Sequence, residues 1–542
     1  MLITFNKAAR WSEVSNNLCN FAANNVLSLF KMEKKRLFSA AALTLSAGMA
    51  MAGGLLTNTN QNVAFNRMMS REASIGIDGV YTNPAGVAFM APGHHLSLNW
   101  QLATQTREVT NTYPLFAGNV ENSASEHFFK GKAFAPVIPS IQYAYNWGKF
   151  SFQGNFALVG GGGKCEFDNG LGSFERIVAN TAIGVNQLAA GIDGASQLAG
   201  LGNPGLSQMF PNGSYKYDSY MRGRQYYFGL SLGMAYKVTP ELAVFAGVRG
   251  NYATSNYYGY VKNITVGMSE ANPAGVPLYM MLDNTKTDAA DIELNCDQSG
   301  IGFTPILGID YKTGRWNFSA KYEFKTRMRL KNTAVNKQPS IGNLPTKLVE
   351  FGVNPLLLQN PTMQATLKEF GDKFDESLEE ATGEFTDGKK VAQDIPALLT
   401  LGVGYSPIDQ LRINAGFHYF YDCQATTYGD RHKLLDRGTI EWNAGVEFDA
   451  SKLVTVSCGW QNTNYGVTDA YMEDKSFVTR SNSIGAGVCL HVSPKIDVNA
   501  AYFCTLYGNI KTSEVDHTTQ LPYTADYTRT NHVFGVGVDF NF

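Results

Sequence analysis

Beyond residue 52 the sequence has no run of 18 or more apolar residues, and this excludes a membrane protein built from spanning helices. It also lacks a basic excess. With 44 Lys and Arg against 46 Asp and Glu, and a formal net charge of −2, no segment has the positive density that phosphate binding needs, so nucleic acid is not expected as a partner. Cysteine is sparse, seven residues in 542, with no C-x-x-C and no Cys/His spacing of a familiar metal set, and the eight His are scattered. No metal and no cofactor are expected. Two enzyme-like matches lack their context. Gly229-Leu230-Ser231-Leu232-Gly233 fits G-x-S-x-G but lies inside an alternating stretch, not at a strand-to-helix turn. Gly161-Gly162-Gly163-Lys164 is followed by Cys165 and lacks the spacing and hydroxyl of a phosphate loop. The chain is not expected to be an enzyme.

What is present is alternation. From 395 to 422, Ala397, Leu399, Leu401, Val403 and Tyr405 share one face of a first run, and Leu411, Ile413, Ala415, Phe417, Tyr419 and Tyr421 one face of a second. Ser406 to Gln410 makes the turn between them. The other face of the second run is Arg412, Asn414, Gly416, His418, Phe420 and Asp422, so one side of this hairpin suits hydrocarbon and the other mostly water. Each run has about 10 residues, the length that crosses a bilayer as a tilted strand.

The unit repeats along the chain. Candidate strands are 96–106, 138–147, 149–160, 224–237, 241–254, 302–311, 315–330, the two above, 438–449, 453–463, 482–492, 495–507 and 531–542. On the fourth of them, Tyr226, Phe228, Leu230, Leu232, Met234 and Tyr236 make the clearest lipid face. The joins at 148, 238–240, 312–314, 406–410, 450–452 and 493–494 are short, and those at 107–137, 161–223, 255–299 and 331–394 are long. Strict alternation of short and long joins is what a barrel gives when its periplasmic turns are tight and its extracellular loops extended. Fifty-four Gly, 27 Tyr and 33 Phe suit tight strand packing and aromatic girdles. The expected fold class is all-β, a transmembrane antiparallel β-barrel of about 14 strands. Its last strand presents Phe534, Val536, Val538, Phe540 and Phe542 to lipid and ends on an aromatic carboxylate, the kind of signal that the outer-membrane barrel assembly machinery reads.

The start of the chain carries an address. Lys34, Lys35 and Arg36 precede an apolar run from Leu37 to Met49 and the small-x-small site Ala50-Met51-Ala52, a secretory signal peptide over 32–52. Residues 1–31 read as an upstream overrun or leader. An exported barrel of this kind belongs in the outer membrane of a Gram-negative bacterium, and a monomer among outer-membrane lipids is expected. Residues 53–93 have no period, carry Arg67, Arg71, Glu72 and Asp78, and contain Leu55, Val63, Phe65, Met68, Met69, Ile75, Ile77 and Val80, which are poorly placed in water. They are expected to fold into the lumen as an N-terminal hatch, leaving 94–542 as the barrel with its long extracellular loops.

Three stretches resemble the long-chain fatty-acid and hydrophobic-compound transporters of the FadL and TodX type. They are Asn83-Pro84-Ala85-Gly86 shortly after the mature N-terminus, Trp316-Asn317-Phe318-Ser319-Ala320-Lys321-Tyr322, and Ile395-Pro396-Ala397 opening Leu401-Gly402-Val403-Gly404-Tyr405. The match spans 53–542. It implies a fourteen-stranded barrel closed by an N-terminal hatch, and passive passage of a hydrophobic or amphiphilic small molecule, long-chain fatty acids above all, across the outer membrane. The alternatives are a diffusion channel for polar solutes, an outer-membrane lipid hydrolase, or an adhesin built on long loops.

Three groups of residues are candidates for that work. From 177 to 210 Asp193 is the sole charged residue, and an apolar outer stretch with Ile183, Leu188, Ile192 and Leu198 is either the capture loop that the resemblance implies or a lid packed on the barrel mouth. On the seventh strand Lys321, Glu323, Lys325, Arg327 and Arg329 are expected to face inward, where Lys321, Lys325 or Arg327 could hold a ligand carboxylate or join an ion network with Glu441, Glu447, Asp422 or the hatch. Gly154 and the glycines 160–163, Gly160 foremost, can weaken wall pairing. The resemblance implies a sideways exit in this region; a plain loop entry is the other reading.

Overall fold

The computed structural model describes residues 61–339, 343–361, 363–365, 367–368, 372 and 383–542. The expected overrun, the signal peptide and the first residues of the hatch, 53–60, lie outside them. Fourteen wall strands form one closed antiparallel barrel. They are β1 Gly93–Thr112, β2 Glu126–Trp147, β3 Phe150–Phe167, β4 Tyr215–Lys237, β5 Leu242–Val266 and β6 Ile292–Thr313. β7 runs Trp316–Glu323 and, after a break, Arg329–Ala334; β8 runs Lys390–Ala392 and Leu398–Ile408. Then come β9 Leu411–Phe420, β10 Ile440–Asp449, β11 Val454–Asn464, β12 Ser481–Ser493, β13 Ile496–Tyr507 with Ile510–Val515, and β14 Pro522–Asn541. β14 closes on β1 in unbroken register from His95↔Asn541 to Thr112↔Thr524.

Alternation places the side chains as the pleat requires. Leu98, Leu230, Leu232, Phe303, Trp442, Ile484 and Phe534 stand exposed on the outside, while Ser97, Gln101, Asn155, Gln461 and Ser483 are buried inside. All tight turns fall at one end, which we call the turn end, and all long joins at the other, the loop end.

The strands are longer than periodicity indicates. β4 and β5 have 23 and 25 residues, against the roughly 10 that a bilayer needs. Above the apolar band β4 and β5 go on pairing with Arg222, Arg224, Tyr258 and Lys262 among their residues, so the ladder continues where the oil-facing pattern stops. The long joins shrink accordingly, to 113–125, 168–214, 267–291 and 335–389.

Residues 61–92 lie inside the turn end of the barrel as α1 (Val63–Arg67), α2 (Gly79–Thr82) and a short turn at Gly86–Phe89. Val63, Asn66, Met68, Met69, Ser70 and Val87 have no exposure at all. Wall glycines make the room. A Cβ on Gly402 would stand 2.6 Å from Glu72 Cβ and 2.8 Å from Ala73 N, and one on Gly459 or Gly485 would strike the plug backbone at Met69 or Asn66. This is the reason the inward positions 402 and 485 are glycine while Val403 and Ala486 beside them face out.

Candidate conduit through the barrel

The turn end is latched by polar contacts between plug and wall. Asn62 donates to Ser97 Oγ (3.1 Å) and to Gln142, Asn66 Nδ2 to Gln101 Oε1 (2.8 Å), and Asn83 Nδ2 to Asp310 Oδ2 (2.6 Å). The plug's four charges all have partners. Arg67 reaches Glu447 Oε1 at 2.7 Å, Arg71 reaches Glu447 Oε2 at 3.1 Å and Asp78 at 2.7 Å, and Glu72 accepts from His418 Nε2 at 2.8 Å. The other ring nitrogen of His418 donates to Glu441 at 2.8 Å, so the imidazole bridges a plug carboxylate to a wall carboxylate. These pairs are buried on both sides, where losing one partner strands a charge.

Lys321 belongs to this belt. Its Nζ donates to Tyr81 O (2.7 Å) and Glu323 Oε1 (2.8 Å) and lies 4.2 Å from the Tyr81 ring centroid, while Glu323 in turn meets Arg249 Nη2 at 2.7 Å. Lys321 also borders a cavity of about 40 Å³ between plug and wall, shared with Tyr81, Leu398, His418 and Phe420. That is far below the roughly 300 Å³ at which ligand pockets begin. A ligand reaching Lys321 therefore needs the plug to move.

The inward row expected on β7 is corrected at this point. β7 pairs with β6 as Ile306↔Glu323 but as Ser299↔Lys331, one residue out of step, and the ladder with β6 lapses from Phe324 to Leu330. The slip exchanges faces. Thr326, Met328 and Leu330 are buried inside; Arg327 and Arg329 are exposed. Lys325, half-buried, donates to Gln424 O (3.0 Å) with Asp394 at 3.8 Å, and Arg329 pairs with Asp394 at 2.7 Å. Of the expected row only Lys321 and Glu323 line the lumen.

Above the polar belt the lumen turns apolar. Val159, Tyr227, Ala253, Met328, Leu330, Val391, Ile395, Leu398 and Phe420 form one buried layer drawn from β3, β4, β5, β7, β8 and β9, together with residues between the two pieces of β7 and β8. These inward hydrophobes escape a reading by alternation, since Phe420 sits on the face of its hairpin that otherwise suits water. Their detectable signal is an apolar residue at a position where the opposite parity is apolar too.

Beside this layer the wall is open in its hydrogen bonding. β2 and β3 pair at 131–133 with 165–167 and again from Ser140↔Ala157 to Trp147↔Phe150, and not between. On the β2 side of the lapse stand Pro136 and Pro139, which have no N–H to give. On the β3 side stand Gly160 to Gly163, with Gly161 and Gly163 at φ of +97° and +72°, and β3 is bulged against β4 at Leu158/Gly160 and Gly160/Gly163. Val159, at the lapse, belongs to the apolar layer. Gly154 is not part of the lapse: it pairs with Tyr143 and Leu232 in regular ladder.

The apolar outer stretch is largely a helix, α3 (Gly172–Leu198), followed by α4 (Leu206–Met209). Phe174, Ile177, Val178 and Ile192 of α3 pack into a large cluster with Phe116, Tyr257, Leu294, Leu348, Phe385 and Phe477, which closes the loop end. Ile192 has no exposure, Ile183 and Leu188 are half-buried, and Leu198 is 52% exposed. The lone charge, Asp193, folds inward and caps α4, accepting from Leu206 N (2.9 Å) and Ser207 N (2.8 Å). The N-terminus of α3 begins after Leu171, a residue with no capping oxygen, and Asp474 supplies one from the join between β11 and β12 by accepting from Ser173 N at 2.6 Å.

Ser231, of the G-x-S-x-G match, sits in mid-strand on β4, where no elbow can form.

No protein-family model and no curated protein matches the sequence. Among solved structures the chain is similar to a FadL homologue of Pseudomonas aeruginosa, at 13% identity and a TM-score of 0.57 over 90% of this chain and 100% of that one. The toluene transporter TodX of Pseudomonas putida aligns at 12% identity and a TM-score of 0.48 over 89% of this chain and 97% of that one. The first of these likenesses establishes the fold, a FadL-type barrel.

Proposed function

We propose that this protein passes hydrophobic ligands, long-chain fatty acids foremost, across the bacterial outer membrane by diffusion. The observation that carries the reading is the apolar layer around Val159, Met328, Ile395 and Phe420 at the height of the lapse between β2 and β3. A pore for polar solutes gains nothing from an oil-lined waist above a sealed plug, whereas an acyl chain partitions into it at about 0.8 kcal/mol per buried CH₂. The ligand enters under the α3 lid, rests in the apolar layer with a carboxylate directed to Lys321 when the plug yields, and leaves through the lapse in the wall. The sequence contains no energy-coupling motif that would drive flow against a gradient.

Native mass spectrometry of the protein extracted in mild detergent tests this. A retained ligand of acyl-chain mass, lost when Phe420→Asp places a charge in the layer, is the expected result. Protein that carries no ligand and takes up none from added oleate would count against it.

A further inference from the structure

Close to the last tight turn at the turn end, three side chains on one hairpin converge. Cys489 and His491 are two apart on β12 and so share a face, and Asp497 on β13 pairs directly with His491. One ligand atom from each lies within 4.8 Å of the other two. Cys489 is buried, and His491 and Asp497 are partly open to the barrel mouth, with side-chain exposures of 37% and 27%.

The hydrogen bonds around His491 demand a proton or a metal ion between it and Asp497. Arg412 holds Asp449 with two bonds, of 2.8 and 2.6 Å, so that carboxylate is ionised and only accepts. Thr455 Oγ1 spends its one proton on Asp449 Oδ1 at 2.6 Å. His491 Nε2, 2.9 Å from the same hydroxyl, is therefore the N–H that donates to it. In a neutral imidazole this leaves a lone pair on Nδ1, and Nδ1 lies 2.7 Å from Asp497 Oδ1. Two lone pairs at that distance repel unless a cation sits between them. A proton on Nδ1 is one such cation, but a proton makes no use of the thiol beside it.

We propose that Cys489, His491 and Asp497 bind a divalent d-block cation, Zn²⁺ foremost. Sulfur, nitrogen and one carboxylate oxygen are its donor set, and Ca²⁺ or Mg²⁺ would have no use for the first two. Three protein ligands leave the fourth position to water, on the side facing the barrel mouth. Tetrahedral coordination wants donor atoms about 3.5 Å apart, so on binding Sγ moves toward the pair while Nδ1 and Oδ1, now 2.7 Å apart, draw away from each other. The ion replaces the proton held between Nδ1 and Asp497 and the proton on Sγ, and both go to solvent. The Nε2–H, Thr455 and Asp449 chain fixes the ring as outer-shell partners do at metal histidines.

Full-length mature protein, purified in detergent with a phosphine reductant and stripped with chelator, is titrated with Co²⁺. One equivalent should bind with a thiolate-to-cobalt charge-transfer band that Zn²⁺ abolishes. Cys489→Ser should remove the band and weaken Zn²⁺ binding at least 10-fold, while Cys458→Ser, altering an exposed thiol on the outer face, should keep it. A second readout uses the unaltered chain: Zn²⁺ should slow alkylation of Cys489 at least 10-fold, followed by peptide mass. No stoichiometric Co²⁺ uptake, a band that persists in Cys489→Ser, or an unchanged alkylation rate would each overturn the proposal.

Discussion

Asn83 Nδ2 donates to Asp310 Oδ2 at 2.6 Å, joining the plug to β6 across 227 positions of sequence. The same Asn accepts from Gly86 N at 3.2 Å, and Pro84 and Ala85 pack over Gly308, two residues before Asp310. The Asn-Pro-Ala-Gly element is thus a latch: a side chain that grips the wall, held by a turn that abuts it. Asn83→Ala should leave the wholly buried Asp310 with Asn317 as its remaining amide donor (3.0 Å), at a cost of about 1–3 kcal/mol. A lower melting temperature and a raised ion leak in planar bilayers should follow, and Asn83→Asp, which sets a second carboxylate beside the first, should do more harm.

Gly459 should be intolerant of any side chain for a reason that lies in the plug. Its Cβ position is taken by the backbone at Met68 and Met69. Gly459→Val keeps β11 in its ladder, since β-branched residues suit strands, but expels the plug. The variant should fold and show heat-modifiable migration like the parent, with conductance raised several-fold. Unchanged conductance would remove the plug from its assigned place.

Asp474 caps α3 from another join. Asp474→Ala should cost about 1 kcal/mol of helix stability, enough for about a fivefold rise in the fraction of opened helix. The readout is protease cleavage within 172–198 on intact cells, with the transmembrane barrel unaffected.

Glu384, in the join between β7 and β8, has its carboxyl pushed up to about 7 by burial, against the pull of Lys475, Arg431 and Lys389. A raised carboxyl contributes stability that is full below its unfolded pKa, near 4.3, and is lost as pH rises through 7. Lys475, lowered to about 7 chiefly by its own burial, titrates over the same range with the opposite sign. The Glu384 contribution is therefore the difference between two proteins: between pH 6 and pH 8 the parent should lose more protection than Glu384→Gln, by proteolysis rates corrected for the enzyme's own pH profile.

The barrel was legible because its physics is local. Alternation marks which residues meet oil, and Gly148, Gly314 and Pro494 punctuate it, so strand count, turn end and loop end follow from single stretches. The faces of Lys325 and Arg327 were not legible, because the slip at Phe324 exists only in relation to β6. Helix α3 hid behind Gly184, Gly191 and Gly194, which weaken helix propensity, although Ile177, Val178, Thr181, Ala182, Val185, Leu188, Ala189 and Ile192 keep its spacing. Cys489-x-His491 looks like two scattered residues until the turn at 494–495 brings Asp497 across from them.

The most direct test is paired influx into cells that lack their own fatty-acid transporter, with radiolabelled oleate and a small neutral oligosaccharide offered together. Expression of this protein should restore oleate entry while sugar entry stays at background, and a disulfide stitched across the β2–β3 lapse should abolish it. Sugar entry at porin level, or oleate entry no faster than in empty cells, would contradict the idea of a plugged, oil-lined barrel that serves apolar cargo.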